Sequence, residues 1–341
     1  MSSNEPFVSV ITPCYNGADF IAECIDSVLA QDYRNFEYIL VNNCSKDNTL
    51  EIMREYARKD SRIIVHDNTD FLDVMVNHNH AMSLMSPASK YCKCVSADDW
   101  IFPECVTKMV ELAEANPTVG IAGAYSIEGK RILFEGLDYE QKVVNGREIC
   151  RNTLLGKMPY VFGAPTTLLY RADLIRKTPT FFPYAKGAPH ADVSACYQAL
   201  QHSDYGFVHQ VLSYTRIHVQ SESSSSFKFG KTQRAQLADL ARFGPVYLNP
   251  QELAELLEIM IDKYYLWLVP ALAENSFSRE FLEIQKKGLK DIGFEFSPAR
   301  LLKAALMRGV ELLESPGITT QKVSAMLKRK GRIVARGTSL T

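Results

Sequence analysis

The sequence predicts an α/β protein in which helices cover a mainly parallel sheet, followed by an all-α C-terminal region. Residues 7 to 125 alternate β-branched apolar runs with amphipathic helical segments, a pattern typical of βαβ units. From residue 232 onward the pattern is helical. The chain has 341 residues, 46% of them hydrophobic and 23% charged, which allows one large domain and a smaller one. We predict these domains at residues 1–225 and 232–341.

Five strands and four helices are predicted in the first 125 residues. The strands are "FVSVITPCY", "FEYILVNN", "SRIIVHDN", "KYCKCVSADD" and "VGIAGAYSI". The helices between them are "GADFIAECIDSVLAQ", "LEIMREYARKD", "VMVNHNHAMSLM" and "ECVTKMVELAEANP". Apolar residues recur on one face of the first helix, at Ile21, Ile25, Val28 and Leu29. We expect that face to pack against the sheet.

Shorter segments follow, and then four long helices. "GAPTTLLYRADLI" predicts a loop, a short strand and a helix, and "HADVSACYQALQ" predicts a helix start. The serine-rich stretch 221–227 is either a flexible boundary or a lid over a bound ligand. The C-terminal helices are "KTQRAQLADLARF", "PQELAELLEIMIDKYYLWLVPAL", "SREFLEIQKKGL" and "PARLLKAALMRGVELL".

Composition excludes several classes of protein. The 38 basic residues nearly balance the 39 acidic ones, which argues against nucleic-acid binding. No apolar run approaches the roughly 20 residues that span a bilayer. The start "MSSNEPF" lacks the features of a secretory signal, so we expect a cytoplasmic protein. The eight cysteines have no repeating spacing, which favours free thiols over a disulfide framework, with a zinc site as the second choice.

The C-terminal segment is strongly basic. Residues 297–341 contain nine lysines and arginines and two glutamates, a net charge of nine minus two, or +7. Two interpretations stay open: peripheral contact with an anionic membrane on its cytoplasmic side, or a solvated helix face with a frayed end. Self-association into a homo-oligomer is a further open expectation.

Polar residues follow three of the predicted strands. They occur in "TPCYN", "VNNCSKD" and "SADDW". In parallel α/β sheets, ligands bind beyond the carboxyl ends of the strands, so we expect these segments to share one edge of the sheet. This convergence predicts a binding site.

The same segments carry a family resemblance. "PCYN" (13–16), "SVLAQ" (27–31), "NNCSKD" (42–47) and "SADDW" (96–100) occur in the order found in family 2 glycosyltransferases, which have the GT-A nucleotide-diphospho-sugar-binding fold. The chain resembles that family strongly over residues 7–125 and recognisably to about residue 220. The resemblance implies a nucleoside-diphosphate-sugar donor.

The resemblance also implies a nucleotide pocket. It consists of Pro13, Tyr15, Asn42, Asn79, Ala97 and Asp98. Tyr15 contacts the base by this resemblance, and Asn42 stands where the family usually has an aspartate. This departure leaves the identity of the base open, and uridine is our expectation. Asp47 either reaches the nucleotide or caps the next helix.

A divalent cation, Mn²⁺ or Mg²⁺, is implied next to the donor diphosphate. Its ligands by resemblance are Asp98, Asp99 and His218, while Ser96 stands where the family has a further aspartate. Hard cations prefer such carboxylate ligands, and the metal neutralises charge on the departing diphosphate. Capping of the following helix accounts for one of the two aspartates, but hardly for both.

Residues for catalysis and acceptor binding are implied further along the chain. Asp192 in "GAPHADVSACYQAL" occupies the place of the general base, with helix capping as the alternative. Thr166 and Thr167 are expected to contact donor or acceptor sugar, and Arg216 to pair with phosphate.

These residues predict an enzyme that moves a single sugar from a nucleoside-diphosphate donor, expected to be a UDP-sugar, to a hydroxyl of a glycan or lipid-linked saccharide. We expect inversion at the anomeric carbon and a role in polysaccharide biosynthesis. The Gln-x-x-Arg-Trp element of processive synthases is missing, which favours one sugar per visit. The alternatives are a non-catalytic sugar-nucleotide-binding relative and a nucleotidyltransferase.

Overall fold

A computed structural model of the chain describes residues 5–133, 137–158, 161–178, 180–183, 191–217 and 230–314. Within these ranges a single sheet contains ten strands. The strands are β1 (Val8–Cys14), β2 (Phe36–Asn42), β3 (Ile63–Asp67), β4 (Tyr91–Cys94), β5 (Trp100–Ile101), β6 (Val119–Glu128), β7 (Arg131–Leu133), β8 (Val143–Val144), β9 (Leu168–Arg171) and β10 (Asp204–Thr215).

Eleven α-helices and one 3₁₀ helix, at Pro165–Thr167, complete the described part of the chain. The α-helices are α1 (Ile21–Leu29), α2 (Thr49–Lys59), α3 (Val74–Ser83), α4 (Cys105–Ala115), α5 (Gly146–Leu154), α6 (Ala172–Arg176), α7 (Ala191–Ala199), α8 (Lys231–Tyr247), α9 (Pro250–Glu274), α10 (Arg279–Asp291) and α11 (Pro298–Glu314). The predicted α/β fold with a helical C-terminal region is confirmed.

The sheet is mostly parallel, with the strand order β3-β2-β1-β4-β9-β6-β10-β5. Strands β1 to β4 pair in parallel, as do β6 and β10, whereas β9 runs antiparallel to both β4 and β6. Because β9 is reversed, its first residues lie at the edge where β4 ends. The 3₁₀ helix before β9 is therefore brought to the carboxyl ends of β1, β2 and β4.

Two apolar layers cover the sheet, one on each face. Consecutive residues of β2 alternate between them, so that Tyr38 and Leu40 pack with α1 and α4, while Ile39 and Val41 pack with α3, α5 and α7. Such two-sided burial explains why the parallel strands read as nearly continuous apolar runs. On α1 the predicted face is buried at Ile21, Ile25 and Val28.

All eight cysteines carry free thiols, as the sequence predicts. Cys92 and Cys94 lie in the same apolar layer, and only Cys44, in the loop after β2, is partly exposed. Burial raises the pKa of the other seven thiols above the ordinary value.

The chain divides into two compact units, Met1–Leu253 and Ala254–Thr341. Helix α8 belongs to the first unit, where the Tyr247 hydroxyl donates to the Tyr197 carbonyl of α7. The sequence places the start of the helical domain earlier, at residue 232, and that boundary stays a prediction. None of the described helices is long and apolar enough to cross a membrane.

The second unit, over its described residues, is held by polar contacts between helices. The Tyr264 hydroxyl of α9 donates to Gln285 of α10 over 3.0 Å. Asp262 of α9 accepts hydrogen bonds from Arg300 and Lys303 of α11 at 2.6 and 2.8 Å. The basic residues beyond 314 that the sequence analysis singled out lie outside the described residues.

Candidate functional site

The ends of three neighbouring parallel strands form the floor of the candidate site. Cys14 of β1 pairs with Asn42 of β2, and Ile11 pairs with Cys94 of β4, so the three strands end at one edge. Here Gly17 allows the chain to turn closely, because a Cβ atom at this position would come within 2.4 Å of the Cys14 sulfur. The loops after β1, β2 and β4 therefore meet.

Hydrogen bonds lock the first two loops together. The backbone N–H of Gly17 donates to the Thr49 hydroxyl at 2.8 Å, and that of Ala18 donates to Asp47 at 3.0 Å. Burial pushes the pKa of Asp47 upward, but hydrogen bonds from Thr49 and Ala18 outweigh it and lower that pKa. Asp47 therefore ties the loops together, and it also accepts from the N–H of Thr49, the first residue of α2, at 3.1 Å.

Two exposed aromatic rings stand over this edge. Tyr15 is 47% exposed and Phe71, in the loop after β3, is 55% exposed. Their ring centroids are 4.9 Å apart with the planes at 69°. Exposed aromatic faces of this kind are suited to stacking with a flat nucleobase. Phe71 was missed by the sequence analysis, since a lone aromatic residue in a loop has no periodic signal.

A network of asparagine side chains fixes the loop that carries Phe71. The amide of Asn43 donates to the Leu72 carbonyl at 2.7 Å and accepts from its N–H at 2.9 Å. Asn68 donates to both Asn43 and Asn77, at 3.1 and 2.9 Å. Because buried amides with satisfied hydrogen bonds rigidify a loop, Phe71 is held in place before any ligand arrives.

Asn42 is paired with an acid from the next strand. Its side-chain amide donates to Asp67, at the end of β3, over 2.7 Å, and its carbonyl accepts from the N–H of Ser45 at 3.3 Å. Asp67 also contacts Arg54 at 3.3 Å. A carboxylate is thus present beside Asn42, although on β3 instead of β2.

The second aspartate of "SADDW" is enclosed by the protein. Asp99 is 4% exposed, and its two oxygens accept hydrogen bonds from the Thr166 hydroxyl at 2.7 Å and the N–H of Arg216 at 3.0 Å. The Thr166 hydroxyl also accepts from the N–H of Ser96 at 3.0 Å. We call Ser96, Asp99, Thr166 and Arg216 the Asp99 cluster.

Burial raises the pKa of Asp99 to about 7, and the neighbouring charge of Asp98 adds to this effect. Hydrogen bonds from Thr166 and Arg216 oppose it. Through the hydrogen bonds of Asp99, the Asp99 cluster connects the end of β4, the 3₁₀ helix and the end of β10.

Asp98 is more open than Asp99. Its side chain is partly exposed, and its carbonyl accepts a hydrogen bond from the Arg216 guanidinium at 3.0 Å. That guanidinium lies 5.0 Å from the centre of the Phe20 ring and forms an ion pair with Glu23. Arg216 therefore fixes the backbone of Asp98 and brings positive charge to the mouth of the site.

The residues present fit a divalent cation that is shared with a bound diphosphate. The described residues contain no group of three acidic, histidine or cysteine side chains able to hold a metal by themselves. Magnesium-type sites often use one or two carboxylates together with substrate phosphates. Asp98 is suited to that role because its side chain is partly exposed, whereas Asp99 is buried. The predicted ligand His218 lies outside the described residues.

A buried lysine lies below the Asp99 cluster. Lys93 of β4 is fully buried, and its amine donates to the carbonyls of Thr166 at 2.5 Å and Leu168 at 3.1 Å. Burial lowers its pKa, an effect opposed by nearby cysteines, first Cys105 and then Cys94. The only sequence signal for it was one lysine in the otherwise apolar strand "YCKC".

Asp192 lies in the first turn of α7 and is partly buried. One of its oxygens accepts from the N–H of Val193 at 2.9 Å, a contact compatible with both predicted roles, general base and helix cap. Burial raises the pKa of a second buried carboxyl group, Asp239 of α8, and the charge of Asp192 adds to the rise. The sequence analysis missed Asp239, which looks like an ordinary polar residue of an amphipathic helix.

The remaining predicted residues have protein contacts of their own. The Asn79 amide bonds with both the N–H and the carbonyl of Phe182, at 2.9 and 2.8 Å. Thr167 donates to the Ala164 carbonyl at 2.8 Å. Pro13 is buried within β1, and Ala97 lies against Gly17. Their roles in binding stay predictions.

Known proteins share this fold. The fragment 1–349 of TarS from S. aureus, in complex with UDP-GlcNAc, has a TM-score of 0.60 at 18% identity, covering 84% of this chain and 80% of that one. Mannosyltransferase PcManGT from Pyrobaculum calidifontis, in complex with GDP-Man and Mn²⁺, has a TM-score of 0.55 at 17% identity, covering 89% and 87%. The mostly parallel sheet, with the candidate site at its strand ends, and these neighbours together define the GT-A fold.

The sequence comparisons identify the family. Residues 9–177, just under half of the chain, match glycosyl transferase family 2. An uncharacterized glycosyltransferase of Haemophilus influenzae is 30% identical over 192 residues, which are 54% of this chain and 58% of that protein. The match with this chain spans 58% of the length of that relative and smaller shares, 21% and 31%, of two other curated relatives.

Proposed function

We propose that the protein transfers a single sugar from a nucleoside-diphosphate donor to a hydroxyl group of a glycan or lipid-linked saccharide, with inversion at the anomeric carbon. The observation that carries the proposal is the position of Asp98. This partly exposed carboxylate stands at the end of β4, braced by the Asp99 cluster and beside the loops of β1 and β2. A diphosphate placed there reaches both a carboxylate-held cation and Arg216.

The proposed chemistry is a direct displacement. The acceptor oxygen forms a bond to the anomeric carbon while the bond from that carbon to the diphosphate oxygen breaks, and the nucleoside diphosphate leaves. Asp192 takes the proton of the acceptor hydroxyl as general base. A divalent cation bound through Asp98 would stabilise the negative charge on the leaving diphosphate. Arg216 adds positive charge next to the same oxygens.

We assign the nucleobase to the space beside Tyr15 and Phe71, and we keep uridine as the proposed base. The two rings offer aromatic faces, and the pair of Asn42 and Asp67 offers an amide and a carboxylate within 2.7 Å of each other. A uracil ring presents an N–H donor between two carbonyl acceptors, which such a pair can match. TarS has been solved with UDP-GlcNAc and PcManGT with GDP-Man, so both bases belong in the test.

We place this transfer in polysaccharide biosynthesis on the cytoplasmic side of the membrane, with one sugar added per visit. The support is the sequence pattern: the processive Gln-x-x-Arg-Trp element is missing, and the last 45 residues carry a net charge of +7. The basic segment is proposed to contact anionic lipid. An assay of donor turnover with vesicles of anionic lipid, compared with neutral lipid, tests this contact.

The proposal is tested by nucleotide binding and donor turnover. We expect UDP, compared with GDP, CDP and ADP, to raise the melting temperature most, and only with Mn²⁺ or Mg²⁺. Asp98→Asn should abolish the metal-dependent shift and lower donor hydrolysis by roughly 100-fold or more. Asp70→Asn, at an exposed carboxylate of the neighbouring loop, is the control and should leave both unchanged.

Two results would contradict the proposal. If no nucleoside diphosphate stabilises the protein with either metal, the donor assignment is wrong. If nucleotide binds but neither transfer nor hydrolysis occurs with any donor, the non-catalytic alternative is favoured.

A further inference from the structure

Helix α8 brings a buried carboxyl group to the neighbourhood of the proposed base. Asp239 is 7% exposed, and one of its oxygens accepts a hydrogen bond from the Ser194 hydroxyl of α7. Ser194 lies two residues after Asp192, in the same helix. Residue 239 is more than 60 positions beyond the segment that matches the family.

Two contacts attach α7 to α8. Near the start of α7, Ser194 donates to Asp239, and further along, the Tyr197 carbonyl accepts from the Tyr247 hydroxyl. The first contact lies at the turn that carries Asp192. The first turn of α7, which carries Asp192, is therefore anchored in part by a residue of α8.

We propose that Asp239 is a positioning residue for sugar transfer, which anchors the first turn of α7 through Ser194 and places a second carboxyl group beside Asp192. This inference rests on the proposed role of Asp192 as the general base. Asp239 itself is buried behind Ser194 and is not assigned a contact with the sugar.

The electrostatics agree with a coupled pair of carboxyl groups. Burial raises the pKa of Asp239 to about 7, and the charge of Asp192 adds to the rise, whereas Ser194 and Arg242 lower it. When two nearby carboxyl groups interact, the ionisation of one raises the proton affinity of the other. In the proposed mechanism, the negative charge of Asp239 favours transfer of the acceptor proton to Asp192.

Other groups around Asp239 do not titrate in the same range. Cys196 and Tyr197 of α7 have pKa values raised by burial and stay neutral, and the charge of Arg242 on α8 lowers the pKa of Asp239. Helix α5 also packs against α8, and burial raises the pKa of its Cys150 to about 12. The other charged residues of α5 are Arg147, Glu148 and Arg151, and α8 also carries the buried Arg234.

The experiment measures the pH profile of transfer, or of donor hydrolysis, with the full chain between roughly pH 5 and 9. The variant Asp239→Asn keeps an oxygen that can accept from Ser194 but removes the charge. We expect kcat to fall roughly tenfold with little change in the KM for donor, and the inflection near neutral pH to disappear. Asp173→Asn, at a carboxylate paired with Arg171 and Lys177, is the matched control and should keep the wild-type profile.

A second variant covers the case in which Asp239→Asn does not fold. Ser194→Ala keeps both carboxyl groups and removes the anchor, so we expect a lower kcat, an unchanged KM and a retained inflection. An Asp239→Asn enzyme with the wild-type profile, or a Ser194→Ala enzyme with unchanged kcat, would overturn the inference. Asp192→Asn distinguishes failure of the proposed base from failure of the proposed positioning residue. If Asp192→Asn remains active, the assignment of Asp192 as the base is wrong. If Asp192→Asn is inactive but Asp239→Asn behaves as wild type, only the role of Asp239 is refuted.

Discussion

Single side chains decide how the Asp99 cluster is held. Asp99 is buried, and each of its oxygens accepts one hydrogen bond. Within the described residues, the Thr166 hydroxyl is the only side-chain hydroxyl that donates to Asp99. A buried carboxyl group that loses a hydrogen-bond donor destabilises the folded state, because the group is already shielded from solvation by water. The stability of the site should therefore depend on this one hydroxyl group.

We predict that Thr166→Val lowers the free energy of unfolding by about 1–3 kcal/mol, because one Asp99 oxygen loses its hydrogen-bond donor and the Ser96 N–H loses its acceptor. Thr167→Val is the matched control: among the described residues its hydroxyl donates to the Ala164 carbonyl alone, so the loss should be smaller. Urea unfolding at neutral pH measures both variants. Equal losses for the two threonines would show that the contact with Asp99 has no special weight.

The raised pKa of Asp239 predicts a pH dependence of stability. Asp239 is protonated below about pH 7 in the folded protein, but it ionises near its ordinary value of 3.8 when unfolded. Its contribution is therefore fully present below the unfolded pKa and is lost as the pH rises to about 7, by about 1.4 kcal/mol per pKa unit. We expect Asp239→Asn to gain stability relative to wild type as the pH rises over this window, measured by urea unfolding at several pH values.

Asp262 provides a control for which the pH dependence of stability has the opposite sign. Hydrogen bonds from Lys303 and Arg300, the first being the larger effect, lower the pKa of Asp262 despite its partial burial. Its stabilisation is present above the unfolded pKa and is lost as the pH falls. Asp262→Asn should therefore cost most at neutral pH. If the stability of Asp239→Asn relative to wild type changed with pH in the same direction as that of Asp262→Asn, the assigned burial of a neutral carboxyl group at Asp239 would be wrong.

At the scale of elements, the sequence predicted the strands best where they are buried on both faces. Strands β1 and β2 are apolar runs that end in "PCYN" and "NNCSKD", so their position and polar ends were both found. Strand β10 was missed because "DYGFVHQVLSYT" has no consistent period. Its partners explain this: it pairs with β6, β5 and β8, and its register with β6 shifts three times.

Helix α8 shows a second limit. Its amphipathic pattern predicted the helix, but the pattern does not reveal which polar residue faces a neighbouring helix. Only the packing of α8 against α7 buries Asp239 next to Ser194. Likewise, Lys93 gains its partners from the antiparallel strand β9, whose pairing with β4 the sequence did not indicate. Contacts between distant segments therefore account for most of what was missed in the candidate site.

Phe71, in the loop after β3, is predicted to contribute to nucleotide affinity. Because the asparagine network already fixes this loop, Phe71→Ala should remove the aromatic face without disturbing the fold. We expect nucleotide affinity to fall by about 1–3 kcal/mol, measured by calorimetry. Phe277→Ala, at a 74% exposed ring of the second unit, is the control and should bind nucleotide as wild type does. An unchanged affinity in Phe71→Ala would remove this residue from the base pocket.

At the scale of the whole molecule, the division at residue 253 separates the candidate site from most of the helical region. All the site residues named above lie in the first compact unit. We predict that nucleotide with Mn²⁺ slows amide hydrogen exchange in the loops after β1, β2 and β4, while the described amides beyond residue 254 exchange at unchanged rates. Metal alone is the control, and protection confined to the second unit would place the binding site elsewhere.

The distribution of thiols gives this protein a built-in labelling position. Seven of its cysteines are buried, with pKa values raised by that burial, so they resist alkylation in the folded state. Cys44 alone is partly exposed, and it sits in the loop after β2, two residues beyond Asn42, with its thiol directed at the Asn68 carbonyl. A maleimide dye added to the native protein should therefore attach at one place, at the edge of the proposed donor pocket. Its fluorescence would report the arrival of a nucleotide without any engineered residue.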